Sequence, residues 1–319
     1  MMEKKSVLKR LVEIREFSVI CALVLLVALL GIFADSFFTA SNFTTILRTI
    51  STNGIVAVGM TFVVLTGGID LSVGSVLALS GAFAAYTYNM TGSSVAGAVA
   101  CLVCGLLFGL FNGVMVSFFK VPAFIQTLVT MTSARGLVYI FCDGTPINNV
   151  GNFIGTIGRG KIGGVVPVPI VLMLVIFLIG WFLLNKTTLG RYIYAIGGNE
   201  ECAKLSGVNV RLYKMVPYFI SGLTAASAAL ILCGRLNSAQ PSMGDKFEMD
   251  AIAAAVVGGT SLSGGTGTIL GTLFGSLIMG VLMNGMNMLR VDSYAQYVVK
   301  GAVILCAVLL ETRRGGAKN

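Results

Sequence analysis

The residues able to do chemistry in this 319-residue chain are few and scattered. Cys101 and Cys104 form a C-x-x-C pair inside an apolar run, a spacing that metal and redox sites use. The chain has no histidine, so we interpret both cysteines as small residues that pack between helices. No G-x-x-x-x-G-K-[ST] phosphate loop is present, which excludes ATP hydrolysis by that route. We therefore expect no metal site, no catalytic residues and no enzyme activity of its own.

Three ionisable residues interrupt apolar runs: Asp70, Arg135 and Lys300. Such groups are costly in a membrane and are functional candidates by default. Each also has a structural interpretation. Asp70 can neutralise the N-terminus of the helix that follows, and the two cations can reach the membrane surface by snorkelling. We expect no carboxylate pair in mid-membrane, which disfavours a proton-coupled carrier.

Two polar residues, Asn112 and Gln126, are well placed to line a path for a neutral, hydroxyl-rich solute. The alternative is that they form hydrogen bonds between helices. Together with Asp70, Ser72 and Ser263 they are the candidate residues of a substrate path.

Ser72 and Ser263 lie in an internal repeat, GGIDLSVGS at 67–75 and GGTSLSGGT at 258–266. Glycine pairs permit sharp backbone turns, and each serine is a candidate cap for the following helix. The copies are either two similar tight turns or a duplicated broken-helix element of the kind that transporters place at their substrate path. We expect both copies toward the cytoplasmic side.

The composition shows what kind of chain must position these residues. It is 56% hydrophobic and 11% charged, with a mean hydropathy of +0.91, whereas a soluble domain is about 25% charged. A membrane span needs about 20 apolar residues, so the two longest runs must fold back, at 89–94 and at 258–267. About ten spans follow, from the apolar runs 17–34, 49–69, 71–119, 121–142, 162–185, 215–234, 251–289 and 293–310.

We therefore predict an all-α polytopic bundle forming one transmembrane domain over 1–319. Its basic residues cluster at the N-terminus, in 185–214 and at the C-terminus, which places all three in the cytoplasm by the positive-inside rule and leaves no nucleic-acid-binding stripe. We interpret 17–34 as a retained anchor and not a cleaved signal peptide. The predicted parts are a cytoplasmic N-terminus at 1–16, spans one to six in 17–184, a cytoplasmic loop at 185–214, spans seven to ten in 215–311 and a cytoplasmic tail at 312–319.

The loop at 185–214 contains a predicted short helix. Gly197-Gly198 ends what precedes it, Asn199 is a good N-cap, two glutamates follow and Gly207 is a good stop. The helix should have about two turns and a length of roughly 10 Å. It is marginal alone in water, so it should dock against its own protein or a partner. The alternative is a connector lying on the membrane surface.

A second polar segment, 237–250, is predicted to lie outside the membrane. Glu248 and Asp250 fall in the first turn of the next helix and suit its positive end. An acidic outer surface is also suited to receiving a soluble partner.

Four stretches of the sequence resemble a known family. Glu201-Cys202-Ala203-x3-Gly207 resembles the E-A-A-x-x-x-G coupling signature of ABC importer permeases, with cysteine in place of an alanine. The stretch GRYIYAIGGNEECAKLSGVNV is similar to its form in ribose-type monosaccharide permeases. So are GMTFVVLTGGIDLSVGS at 59–75, KVPAFIQTL at 120–128 and SAQPSMGDKFEMDAIAAAVVGGTSLSGGTG at 238–267. The resemblance runs in order from about residue 40 to 311.

The resemblance implies a bacterial cell-membrane permease that imports a monosaccharide, ribose first among the candidates. It implies a pair of permease copies, a separate cytoplasmic ATP-binding subunit that holds ATP and Mg, and an extracytoplasmic sugar-binding protein. The chain itself would carry no cofactor. Alternating access would be driven through the coupling residues Gly198, Asn199, Glu200, Glu201, Cys202, Ala203 and Gly207.

Two other classes compete with this interpretation. One is an ATP-independent secondary carrier or facilitator for a small neutral solute. The other is a membrane scaffold or receptor subunit without transport, which the duplicated broken-helix element disfavours.

Overall fold

The computed structural model describes residues 17–316, with side chains described to residue 309. The predicted N-terminal segment 1–16 and the end of the predicted tail, 317–319, lie outside the described residues. The described helices are α1 (Phe17–Phe33), α2 (Ala40–Leu65), α3 (Val73–Thr91), α4 (Ser94–Ser117), α5 (Ala123–Phe141), α6 (Gly151–Arg159), α7 (Val168–Lys186), α8 (Thr188–Gly198), α9 (Glu200–Leu205), α10 (Val210–Leu236), α11 (Phe247–Val257), α12 (Ile269–Met288) and α13 (Ser293–Gly316).

Four two-residue strands complete the described structure: β1 (Ile147–Asn148), β2 (Lys161–Ile162), β3 (Val166–Pro167) and β4 (Ser238–Ala239). β1 pairs antiparallel with β4, and β2 pairs antiparallel with β3. All four lie in connectors between helices, so the prediction of an all-α bundle is confirmed.

Among the described helices, six are long and apolar enough to cross a membrane: α2, α4, α5, α7, α10 and α12. The apolar helix α1 and the apolar part of α13 are shorter, so a count of about ten spans stays a prediction. The prediction that α11 crosses the membrane is wrong. The 11-residue α11 is only about 16 Å long at 1.5 Å per residue, roughly half of a 30 Å hydrocarbon core.

Both predicted fold-backs occur where glycine or serine interrupts the apolar run. α3 ends at Gly92, whose φ is +71°, and Ser93 caps α4 by accepting a hydrogen bond from the Ala96 N–H. The second fold-back is the connector between α11 and α12.

Several helices extend beyond their apolar runs. α2 begins at Ala40 and not at 49, because Thr39 caps it by accepting from the Asn42 N–H. α10 begins at Val210 and not at 215, so the predicted loop 185–214 is shorter and largely helical. α13 continues past the predicted boundary at 311. Apolar runs show the membrane-embedded part of a helix, and polar turns that continue it into water escape this signal.

The core is organised around α10, which packs on α2, α3, α4 and α6. α4 and α10 approach backbone to backbone, because a Cβ on Gly222 would collide with Gly105 O and one on Gly109 would lie 2.5 Å from Tyr218 O. At the same interface the Cys101 thiol lies 3.4 Å from Ala226 O, to which it donates, and Cys104 is also buried. Both cysteines pack between helices, as their sequence context predicted.

Candidate functional site

The predicted short helix is present as α9. The Asn199 side-chain oxygen accepts a hydrogen bond from the Cys202 N–H at 2.9 Å, and both glutamates lie in the first turn. Gly207 follows the helix in the left-handed conformation, with φ +82°, which lets the Val208 N–H reach Ala203 O at 3.1 Å. The helix is therefore capped at both ends by the residue types that its sequence supplies.

α9 is attached to the protein along one side and free along the other. Ala203 is buried, and an ion pair of 2.7 Å joins Glu200 to Lys214 of α10. The rest of α9 is exposed, including Leu205, which keeps 85% of its surface accessible. Leu205 is therefore an exposed apolar residue on a helix that is capped at both ends.

α9 follows directly on α8, whose end packs tightly against the two glycine repeats. A Cβ on Gly197 would collide with Leu65 O at the end of α2 and with Gly265 N in the second repeat. These two groups are themselves joined, because the Gly265 N–H donates to Leu65 O at 2.9 Å. A Cβ on the neighbouring Gly198 would instead meet no atom within 4 Å. The end of α8 thus contacts the end of α2, just before the first repeat, and the second repeat through backbone atoms.

The two repeats lie side by side. A Cβ on Gly264 would approach both Gly67 N and Gly197 O to 2.9 Å. The copies are separated by most of the chain, and their contact shows that they lie on the same side of the bundle. We name the meeting point of Leu65, Gly197 and Gly265 the glycine junction.

Immediately after the first glycine pair, Asp70 is buried and accepts three hydrogen bonds. They come from the Ser72 N–H at 3.0 Å, the Ser72 hydroxyl at 2.6 Å and the Ser221 hydroxyl of α10 at 2.7 Å. Asp70 thus accepts hydrogen bonds next to the N-terminus of α3, as its structural interpretation predicted. It also links the connector between α2 and α3 to α10.

The same network continues into α4 and α5. Asn112 donates to the Ser72 hydroxyl at 2.9 Å, and its side-chain oxygen accepts from Gln126 at 3.3 Å and from Thr130 at 2.6 Å. Asp70, Ser72, Asn112 and Gln126 are all buried. Four of the five candidate path residues therefore belong to one buried polar network.

Sequence inspection missed two members of this network, Thr130 and Ser221, and it also missed the neighbouring Thr127. The Thr127 hydroxyl donates to Ile69 O at 3.0 Å. Isolated serine and threonine are common in membrane helices, so they carry little signal alone. The spacing between Gln126 and Thr130, one helical turn, was the one available clue, and these two side chains are 3.2 Å apart.

The fifth candidate, Ser263, is exposed and lies outside the network. The expectation that the two repeat serines cap the next helices is wrong for both. Ser72 makes no capping hydrogen bond, because its hydroxyl serves Asp70. α12 is capped five residues after Ser263, by Thr268, which accepts from the Gly271 N–H at 2.9 Å.

A cavity of about 640 Å³ lies between α9 and the first repeat. Its walls include Gly67 and Gly68, Lys120 of the connector between α4 and α5, and Glu201 and Lys204 of α9. The exposed helix and the first glycine turn therefore face a common space.

Neither cation of the apolar runs needs to snorkel. The Arg135 guanidinium donates to Pro241 O at 2.6 Å and to Met243 O at 2.9 Å. Lys300 forms an ion pair of 2.8 Å with Asp250, which is also 3.4 Å from the amide of Asn53 near the middle of α2. Asp250, which the sequence placed in the outer segment, thus packs inside the bundle against Lys300 and Asn53.

The comparison with known proteins gives the family. The family described as branched-chain amino acid transport system / permease component matches residues 42–308. The chain belongs to this family. The ribose import permease protein RbsC of Haemophilus influenzae is 47% identical to this permease over 312 residues, covering 97% of the chain and 95% of the relative.

Two further relatives of the permease differ in the sugar that their names carry. RbsC of Bacillus subtilis is 48% identical over 297 residues, with 92% and 91% of the two chains covered. The xylose transport system permease protein XylH of Escherichia coli K12 is 37% identical over 338 positions, with 87% and 86% covered. No solved structure matches the chain.

Proposed function

We propose that this chain is the membrane permease subunit of an ATP-binding-cassette importer that moves a monosaccharide, with ribose as the first candidate, into a bacterial cell. The relatives named above support the transport class and the sugar. The structural observation that carries the proposal is α9, which is capped at both ends, exposed along one side and continuous with α8 at the glycine junction.

In this proposal α9 is the coupling helix, seated in a groove of a separate cytoplasmic subunit that binds ATP and Mg. Leu205 and the first-turn glutamates would contact that subunit, while Ala203 faces the permease. The coupling residues are those from Gly198 to Gly207 that the motif singles out. A push on α9 would pass through α8 to Leu65 and Gly265, because these backbones have no space to yield.

The glycine junction is then the point at which movement of the ATP-binding subunit is transmitted to the sugar path. The first repeat leads into the buried network of Asp70, Ser72, Asn112 and Gln126, which ties α2, α3, α4, α5 and α10 together. Because these groups are bonded to one another and buried, the network would hold the path closed in this conformation. Ser263 lies outside this network and would contribute to the path from the second repeat.

The assembly follows from the same proposal. Two copies of the chain would form the pathway, with an extracytoplasmic sugar-binding protein outside and the termini and α9 in the cytoplasm. ATP would drive alternating access through the partner, and this chain would need no cofactor.

The first test is transport by the purified protein in liposomes. Sugar uptake should require the ATP-binding subunit, ATP and the sugar-loaded binding protein, and the chain alone should give none. Uptake by the chain alone at the full rate would instead establish an ATP-independent carrier.

Leu205→Glu tests the coupling helix. Burying one leucine side chain contributes about 2 kcal/mol, so the variant should lose the ATP-binding subunit during copurification and reduce ATP-driven uptake by more than about tenfold. The matched control is Val165→Glu, an exposed apolar residue in the turn between β2 and β3. Normal copurification and uptake in Leu205→Glu would contradict the coupling role.

A further inference from the structure

The segment from Asn237 to Asp250, predicted to lie outside the membrane, folds back into the bundle. It leaves the connectors at the end of α10, where the Asn149 N–H donates to Asn237 O at 2.8 Å. It then descends along α3. A Cβ on Gly81 would lie 3.4 Å from the end of Met243, and a Cβ on Gly244 would lie 2.7 Å from Gly74 O.

The depth of the segment in the bundle follows from its contacts with α3 and α2. Asn89 of α3 is bonded to Asn148 O among the connectors at that end, and α3 rises roughly 22 Å from Gly74 to Asn89 at 1.5 Å per residue. On the other side, Asp250 lies against Asn53, near the middle of the 26-residue α2. Asp245 directly follows Gly244, which packs on Gly74, and precedes Asp250 by five residues. It is therefore well inside a hydrocarbon core of about 30 Å.

Despite this depth, Asp245 is exposed on the surface of the single chain, as is Ser242. The Arg135 guanidinium donates to two carbonyl groups and attracts the Asp245 carboxylate without forming a salt bridge with it. Lys246 lies 3.4 Å above the Tyr297 ring, and Lys300 pairs with Asp250. Among the described residues Asp245 has no ion-pair partner. A carboxylate at this depth is stable only where it faces water or a polar partner, not lipid tails.

We propose that Asp245 and Ser242 line the sugar path inside the membrane and that Asp245 accepts hydrogen bonds from sugar hydroxyl groups. The descending segment is fixed by its backbone carbonyls on Arg135 and by its end on Lys300, so it presents these two side chains on a rigid support. The inference rests on the proposed sugar transport, since it names the residues that select hydroxyl-bearing cargo.

Thiol labelling tests whether position 245 faces water. The background replaces the exposed Cys21 and Cys306 by serine and keeps Cys202, a coupling residue, whose labelling is measured in the background alone and subtracted. In the assembled transporter, Asp245→Cys should react with a water-soluble, membrane-impermeant maleimide, and the reaction should slow when ATP and the sugar-loaded binding protein drive transport. Asp35→Cys, at an exposed aspartate between α1 and α2, should react without slowing.

Uptake by Asp245→Asn tests sugar recognition. The rate at saturating sugar-loaded binding protein should fall by roughly tenfold, the effect of one hydrogen bond to a charged group, while ATP-binding-subunit copurification stays normal. The control Asp35→Asn should transport at the wild-type rate. An unreactive Asp245→Cys, or reactivity unaffected by transport together with unchanged uptake in Asp245→Asn, would overturn the inference. Absence of sugar uptake by the wild-type assembly would instead overturn the proposed function and leave the labelling result standing.

Discussion

The two copies of the glycine repeat end their helices in the same way but with a shift of one residue. After α2 the first glycine of the pair, Gly67, is left-handed with φ +74°, and the Gly68 N–H reaches back to Val63 O. After α11 the second glycine, Gly259, takes that place with φ +87°, and the Thr260 N–H reaches back to Ala255 O. Both are glycine-terminated helix ends of the Schellman type.

Beyond the turn the copies differ. In the first copy Asp70 and Ser72 point into the bundle and join the buried network. In the second copy the aligned positions are Ser261 and Ser263, and Ser263 is exposed. The same sequence pattern thus places one serine in the buried network and its counterpart at the surface. The backbones of the two copies nevertheless meet where Gly264 approaches Gly67 N, next to the glycine junction.

The largest expected effect breaks the first copy. Asp70→Ala removes the acceptor of three hydrogen bonds and leaves buried hydroxyl groups without their partner, so it should cost about 3 kcal/mol of unfolding free energy. The melting temperature of the detergent-purified protein should fall by roughly 5–10 °C. The exposed control is Asp35→Ala. An unchanged melting temperature would show that the network does not hold the first copy.

The next effect concerns the glycine junction, which lies beside the contact between the two copies. Gly197→Ala forces a Cβ against Leu65 O and Gly265 N, an overpacking that should cost about 2 kcal/mol and reduce ATP-driven uptake by about tenfold or more. Gly198→Ala is the matched control, because its Cβ meets open space.

The two glycine variants separate a contact at the junction from flexibility of the glycine pair. Uptake measured side by side should be near wild type for Gly198→Ala. Equal losses in both variants would contradict a role for the junction itself.

The smallest effect compares the aligned serines of the two copies. Ser72→Ala loses one donated and one accepted hydrogen bond in the network and should cost about 1 kcal/mol. Ser263→Ala changes an exposed side chain and should stay within about 0.5 kcal/mol of wild type. Thermal unfolding of the two variants under identical detergent conditions measures the difference. Equal shifts would remove the distinction between a buried and an exposed copy.

Local signals predicted local structure well. α9 and its caps were predictable because capping depends on residues within one turn of the helix end, as for Asn199 and Gly207. The fold-backs were predictable because glycine and serine interrupt long apolar runs.

Depth in the membrane was less predictable. Hydropathy treats each charged residue as a sign of water, so it placed Asp250 outside and left Lys300 to snorkel. In the structure the two charges neutralise one another. The span predicted at α11 was wrong for a related reason. A run of apolar residues does not show whether the backbone crosses the membrane or turns halfway.

By itself, the sequence determined that this is an all-α membrane protein with a capped helix in a charged loop, because composition, caps and glycine turns act over a few residues. The tertiary structure decided that the two repeats meet beneath α8, that four polar residues from separate segments form one network, and that the segment before α11 descends into the bundle. These arrangements depend on contacts between residues far apart in the chain, where close packing and the pairing of buried polar groups select the partners.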